Sequence, residues 1–95
     1  MEYYATSISD KVKLIVSDSK LAFMQGRFDE SLRLAKQALD IDRKNSDAHQ
    51  CAGTAYMSRE DYESAIKSYK KAVEYDADNG DRYFNKWMAW RKLQK

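Results

Sequence analysis

Shifted by 34 residues, the chain comes into register with its own second half. Asp29 to Asn45 (DESLRLAKQALDIDRKN) lies over Glu63 to Asn79 (ESAIKSYKKAVEYDADN). Lys36 meets Lys70, Ala38 meets Ala72, Asp42 meets Asp76 and Asn45 meets Asn79. Conservative pairs fill the intervals: Phe28 with Tyr62, Ser31 with Ala65, Leu32 with Ile66, Leu39 with Val73. An offset of this length means stacked supersecondary units, each too thin to bury its apolar face alone. The glycines, Gly26, Gly53 and Gly80, are 27 apart, but no other residue type follows that spacing.

Within each unit the apolar period is helical. Ala48, Ala52, Ala55 and Tyr56 recur at three- and four-residue steps, and Ala65, Ile66, Tyr69, Ala72 and Val73 do so after a short break. The breaks are MQGRF (Met24 to Phe28), where Gly26 supplies a positive φ at a helix end, and SREDY (Ser58 to Tyr62). DRKNSD and DADNGD separate the units, and their Asn and Ser residues are good N-caps. Helices are predicted near Ser9–Gln25, Phe28–Asp42, Asp47–Ser58, Tyr62–Asp76 and Asp81–Gln94. Tyr3 and Tyr4 either pack over the first helix or hang free before a cap at Ser9.

Composition agrees. The chain has no proline and three glycines, which favours uninterrupted helices, and its 43% apolar content suffices for the core of one domain. Leu14-Ile15-Val16 is far too short for a signal-peptide core or membrane span. A lone cysteine, Cys51, forms no internal disulfide and points to a reducing, cytoplasmic setting. The 17 basic and 15 acidic residues are finely mixed along the chain, and nothing in the totals indicates a nucleic-acid face.

At these residues the chain resembles the tetratricopeptide repeat family, whose spacing includes W-x2-L-G-x2-Y, then A-x3-F, then a turn often carrying Pro. In the second unit His49 stands for the Trp and Ala52 for the Leu, followed by Gly53, Tyr56, Ala65, Tyr69 and Ala72. The first unit matches less well, with Ile15, Asp18, Ser19, Ala22, Ser31, Ala35 and Ala38. It keeps a small pair, Ser19 with Ser31, as the second keeps Gly53 with Ala65, because two helices approach closely only where both contribute small residues. Arg43 and Ala77 occupy the turn-proline positions, which loosens the turns. The resemblance implies an all-α right-handed helical solenoid in one domain, residues 1–95. Its parts are repeat one at 12–45, repeat two at 46–79 and a C-terminal capping helix at 80–95.

The last helix is unusual. Tyr83 and Trp90 take aromatic positions of the family pattern, but Trp87 falls where it has glycine. A Trp does not fit where two helices of one repeat nearly touch, so the chain reads as ended here on purpose. At about 100° per residue, Leu93, Trp90, Tyr83, Trp87, Phe84 and Met88 sweep roughly 220°, far wider than the stripe of a one-sided helix. About half of that arc is expected to rest on the preceding repeat. Two readings stay open: the tryptophans fold over the end of the solenoid and finish the core, or Tyr83, Trp87 and Trp90 form an interface for self-association or another protein. Arg82, Lys86, Arg91, Lys92 and Lys95 scatter around the wheel, which argues against a membrane-surface helix.

The resemblance also implies a concave groove lined by the first helices of the units. Carried over by repeat position, its partner-binding residues are Lys13, Val16, Lys20, Asp47, Gln50, Thr54, Asp81, Phe84 and Met88, with Ser17, Met24, Cys51, Ser58 and Asn85 beside them. The family's two-carboxylate clamp for chaperone C-termini maps onto Val16, Lys20, Cys51, Asp81 and Asn85. None matches in type, and Asp81 repels a carboxylate, so that function is rejected. His49 and Cys51, the only His and Cys, face ~200° apart on a helix, which excludes a Cys–His pair, and they are too few for a zinc site. No Gly-rich phosphate loop exists. Exposed-looking Lys36/Asp40, Lys67/Lys71 and Lys70/Glu74 sit on second helices and serve solubility. The expected function is non-catalytic protein binding, as an adaptor or scaffold without metal or cofactor. The alternative is a homo-oligomer, such as a dimer, built on the C-terminal helix.

Overall fold

The computed structural model describes residues 7–76 and 80–94, leaving out the side chains of 80–82 and 84. It contains five helices: α1 (Ile8–Met24), α2 (Phe28–Ile41), α3 (Ser46–Ser58), α4 (Tyr62–Tyr75) and α5 (Gly80–Gln94). No strand occurs among the described residues. Each helix packs on the next along the chain, and α1 also touches α3, so the layers stack as an all-α helical repeat solenoid. The radius of gyration is 13.9 Å, against about 12.4 Å for a compact chain of this length, as stacking in one direction requires.

The repeat extends to the caps. α1 and α3 end alike. Arg27 N–H donates to the Ala22 carbonyl and Gly26 N–H to Phe23; 34 residues on, Asp61 N–H donates to Tyr56 and Glu60 N–H to Met57. Both are Schellman closures, which need a left-handed residue after the helix. Gly26 provides it at φ +79°, whereas the second repeat places Glu60 there at φ +61°. The second repeat gains at the next N-terminus, where the Asp61 carboxylate accepts from Ser64 N–H at 3.3 Å, while Arg27 offers no side-chain cap. Asn45 caps α3, accepting from Ala48 N–H at 2.8 Å. At α1 the cap is Ser7, not the expected Ser9. The extended backbone of Ser7 lets its hydroxyl accept from Asp10 N–H at 3.0 Å, and Ser9 is already helical. Tyr3 and Tyr4 lie outside the described residues.

The core is made mostly of alanine. Ala35, Ala38, Ala48, Ala55, Ala65, Ala72 and Ala89 are completely buried, and among the described residues the largest fully buried side chains are Val12, Ser19 and Ser31. Small side chains bring the helix axes together and keep each layer thin. The Ser19–Ser31 contact is also a buried polar lock. The Ser19 hydroxyl donates to the Ser31 carbonyl at 2.7 Å, so its oxygen is left to accept the Ser31 hydroxyl at 3.1 Å. At the corresponding place in repeat two the glycine accommodates an aromatic ring. A methyl group on Gly53 would lie 2.5 Å from the Tyr69 ring.

His49 joins the two repeats. Its Nε2 donates to the Arg43 carbonyl at 2.9 Å, which fixes the tautomer, and its ring lies 5.6 Å from that of Tyr75. The turn that lacks the family's proline at Arg43 is therefore closed from the next helix. The other turn without proline, at Ala77, lies outside the described residues.

Candidate functional site

Between α1 and α3 opens a hollow of about 300 Å³. Of the residues assigned to a groove by repeat position, Lys20, Gln50 and Thr54 line this hollow, together with Met24 and Cys51. Phe23 completes the wall. Its place was not evident from repeat position, because it lies at the end of α1, where its ring turns to meet Phe28 at 5.1 Å. The walls are mainly apolar, with the exposed Lys20 at the edge.

Val16 is not a groove residue. It is 5% exposed and packs in the core with Val12 and Leu32, because α1 turns that stripe toward α2 and α3. Cys51 is almost as buried, at 6%, and closes the floor of the hollow. Lys13 and Asp47 are exposed but do not line the hollow, and Met88 is half-buried on α5. Asp81 and Phe84 have side chains outside the described set.

Polar groups around the hollow are already oriented. Thr54 donates its hydroxyl proton to the Gln50 carbonyl at 3.0 Å, so the Tyr69 phenol donates to Thr54 at 3.2 Å. Burial pushes the Tyr69 phenol above its ordinary value. What Thr54 leaves for a ligand is mostly its methyl group, so apolar contact dominates the floor and charge sits on the rim.

The terminal helix makes its closest contact through a small side chain. α5 rests on α4 through the fully buried Ala89, which packs with Ala65 and Tyr69 and is flanked by Tyr56, Met57 and Ile66. Ala89 lies beside the aromatic arc, not within it, because a close helix crossing accepts a methyl group and not an indole. The arc turns outward: Tyr83, Trp87, Trp90 and Leu93 are 47%, 49%, 50% and 43% exposed. The tryptophans therefore do not finish the core. The Arg91 guanidinium lies 5.2 Å from the centre of the Trp87 ring and covers part of it.

A second recess was missed in the sequence. On the opposite side, α2 and α4 both lean on α3 and leave a cleft of about 480 Å³ between them. Lys36 comes from one wall and Lys67, Lys70 and Lys71 from the other, over a floor of Leu39, Ala52 and Tyr56. The 34-residue offset carried the signal, since it superimposes Lys36 on Lys70 and so places them on neighbouring layers.

No described helix is long and apolar enough to cross a membrane. A tetratricopeptide repeat model matches residues 22–86. Among curated proteins, the chain is 39% identical to tetratricopeptide repeat protein 37 of Xenopus laevis over 54 residues, 57% of this chain and 4% of that protein. It is 34% identical over 76 residues to small glutamine-rich tetratricopeptide repeat-containing protein 2 of Mycosarcoma maydis, 79% of this chain and 22% of the relative. A DnaJ homolog subfamily C member 3 homolog of Dictyostelium discoideum is 41% identical over 46 residues, 48% of this chain and 9% of the relative. The chain thus spans under a quarter of the length of each of these relatives.

Proposed function

The chain belongs to the tetratricopeptide repeat family, generally a non-catalytic fold that mediates protein–protein interaction, and on that premise we propose that it is an adaptor or scaffold module holding a partner segment in its concave groove. The observation that carries this reading is the mainly apolar hollow between α1 and α3, walled by Phe23, Met24 and Cys51 and edged by Lys20. A pocket of about 300 Å³ takes one large apolar side chain of a peptide. Lys13 and Lys20 on α1 favour an acidic group on one side of that side chain, and Asp47 on α3 a basic group on the other.

A carboxylate clamp is not part of the proposal. Of its mapped positions Val16 and Cys51 are buried in the core, and neither donates to a carboxylate. The thiol of Cys51, buried and in no disulfide, suits a reducing cytoplasmic setting.

The test is pull-down of partners from a cell lysate, with Lys20→Glu combined with Asp47→Lys against wild type. Both side chains are exposed, so the variant is expected to stay folded, with a slightly lower melting point from the reversed charge in the first turn of α3, while losing the partners that use the groove. Partners retained in full by a folded double variant would remove the groove from consideration.

A second reading is favoured by α5, where Tyr83, Trp87 and Trp90 stand about half exposed on one face. Here the occupant is a second copy of the chain, joined through that face. Sedimentation equilibrium over a wide concentration range tests it. A dimer that Trp87→Ala with Trp90→Ala converts to a folded monomer supports it; a monomer at all concentrations ends it.

A further inference from the structure

We propose that the side of the solenoid opposite the groove carries a second docking site, for an acidic protein segment, in the cleft between α2 and α4. The argument starts from charge. The cleft above Leu39, Ala52 and Tyr56 adjoins another of about 510 Å³, and the two share Leu39, His49 and Lys71. Six cationic side chains line them (Lys36, Lys67, Lys70 and Lys71, then Arg43 and Lys44) against two carboxylates, Glu74 and Asp40. That is a net +4 on one strip of a chain whose total is +2, so the remainder of the chain carries a net −2. The charges that look finely mixed along the sequence are sorted in space.

These cations are not consumed by the fold. Among the described residues the ion pairs are Arg33 with Glu30 and Arg59 with Asp29, and both lie outside the strip. The lysines are held in place in another way: the Lys36 ammonium lies 5.9 Å from the centre of the Tyr56 ring and that of Lys71 5.9 Å from Tyr75. Four ammonium groups of like charge around one trough repel one another, and an anionic ligand relieves that repulsion.

The shape favours protein over nucleic acid. A trough with cationic walls and the partly buried Leu39 and Tyr56 in its floor fits a segment in which acidic residues flank an apolar one. The aromatic faces that single-stranded nucleic acid needs for stacking are already under lysine ammonium groups at Tyr56 and Tyr75. Glu74 and Asp40 interrupt the strip where a continuous phosphate backbone would run. A peptide, whose charges are discrete, avoids both obstacles.

The experiment uses the full chain and a fluorescein-labelled peptide of Glu and Asp around a central Leu-Phe pair, followed by anisotropy. Wild type is expected to bind, more weakly as salt rises. Lys67→Glu with Lys71→Glu is expected to weaken binding about tenfold or more, both side chains being exposed, with the melting curve unchanged. Lys20→Glu, in the concave groove, is expected to leave affinity within about twofold. Loss of peptide binding in Lys20→Glu alone would assign the acidic ligand to the groove and overturn the proposal. So would unaltered binding by the Lys67/Lys71 variant, absence of binding by wild type, or equal affinity for polyuridylate or for phosphatidylserine vesicles. Failure here leaves the groove reading intact, since that rests on variants of Lys20 and Asp47.

Discussion

The Tyr69 ring takes the space that a side chain at residue 53 would need, and both helices of the second repeat depend on that fit. Gly53→Ala brings a methyl group within 2.5 Å of a ring that is 3% exposed and hydrogen-bonded to Thr54, so the ring has little room to move aside. The substitution gains about 1 kcal/mol of helix propensity, but overpacking costs about 1–3 kcal/mol. The expected result is a net loss of about 1 kcal/mol, read as a lower urea midpoint. Tyr69 also gives the molecule an alkaline limit. Burial raises its pKa, so the folded chain keeps the phenolic proton where the unfolded chain loses it. The stability from this group is therefore complete below the ordinary value of 10.0 and falls as pH rises through the folded value. Tyr69→Phe is expected to cost about 1 kcal/mol near neutrality through the lost hydrogen bond. Its deficit relative to wild type should shrink above about pH 10, which paired melting curves at about pH 8 and pH 10.5 would register.

Among the elements, the two Schellman turns form a natural comparison. They close with the same hydrogen bonds, yet one uses glycine and the other Glu60 at φ +61°. A left-handed non-glycine residue carries a steric cost of about 1–2 kcal/mol, part of which glycine returns as lost backbone freedom. Glu60→Gly is thus expected to stabilise the chain by about 0.5–1 kcal/mol, seen as a higher urea midpoint at unchanged slope. Gly26→Ala should act in the opposite direction, since nothing crowds its position and only the backbone conformation opposes a side chain. Helix α5 docks through one face and exposes its aromatic side chains on another. Ala89 docks it, while Trp87 and Trp90 stay about half exposed, so changing the tryptophans tests association without dismantling the fold.

For the whole molecule, an alanine core means that no single layer is stable on its own. Each helix buries little, and stability accrues from neighbours stacked in sequence. Removing residues 80–95 uncovers Ala65 and Tyr69, which α5 covers through Ala89. The expected outcome is a midpoint lower by roughly 10 °C or more, corresponding to about 2 kcal/mol in a domain of this size, measured by circular dichroism. The same stacking sorts the surface: first helices make the apolar hollow, second helices make the basic cleft, and the two recesses lie on opposite sides.

The 34-residue offset and the helical period by themselves determined the five helices, their order and the small-residue contacts between them, because these depend on neighbours near in sequence. Gly26 as the turn residue and Asn45 as the cap were legible for the same reason, as were Lys20, Gln50 and Thr54 around the hollow, since repeat position fixes which helix face turns inward. The exceptions are side chains whose position depends on a partner far along the chain. Val16 belonged to the groove by repeat position but went into the core when α2 and α3 closed over it. The aromatic arc of α5 was visible on a helical wheel, yet a wheel does not say which edge makes the close crossing, and Ala89 won by size. Six cations scattered through a balanced sequence became one strip only when α2 and α4 were laid side by side on α3. Periodicity reports which residues share a face, whereas what that face meets is decided by the steric and electrostatic terms of packing in three dimensions.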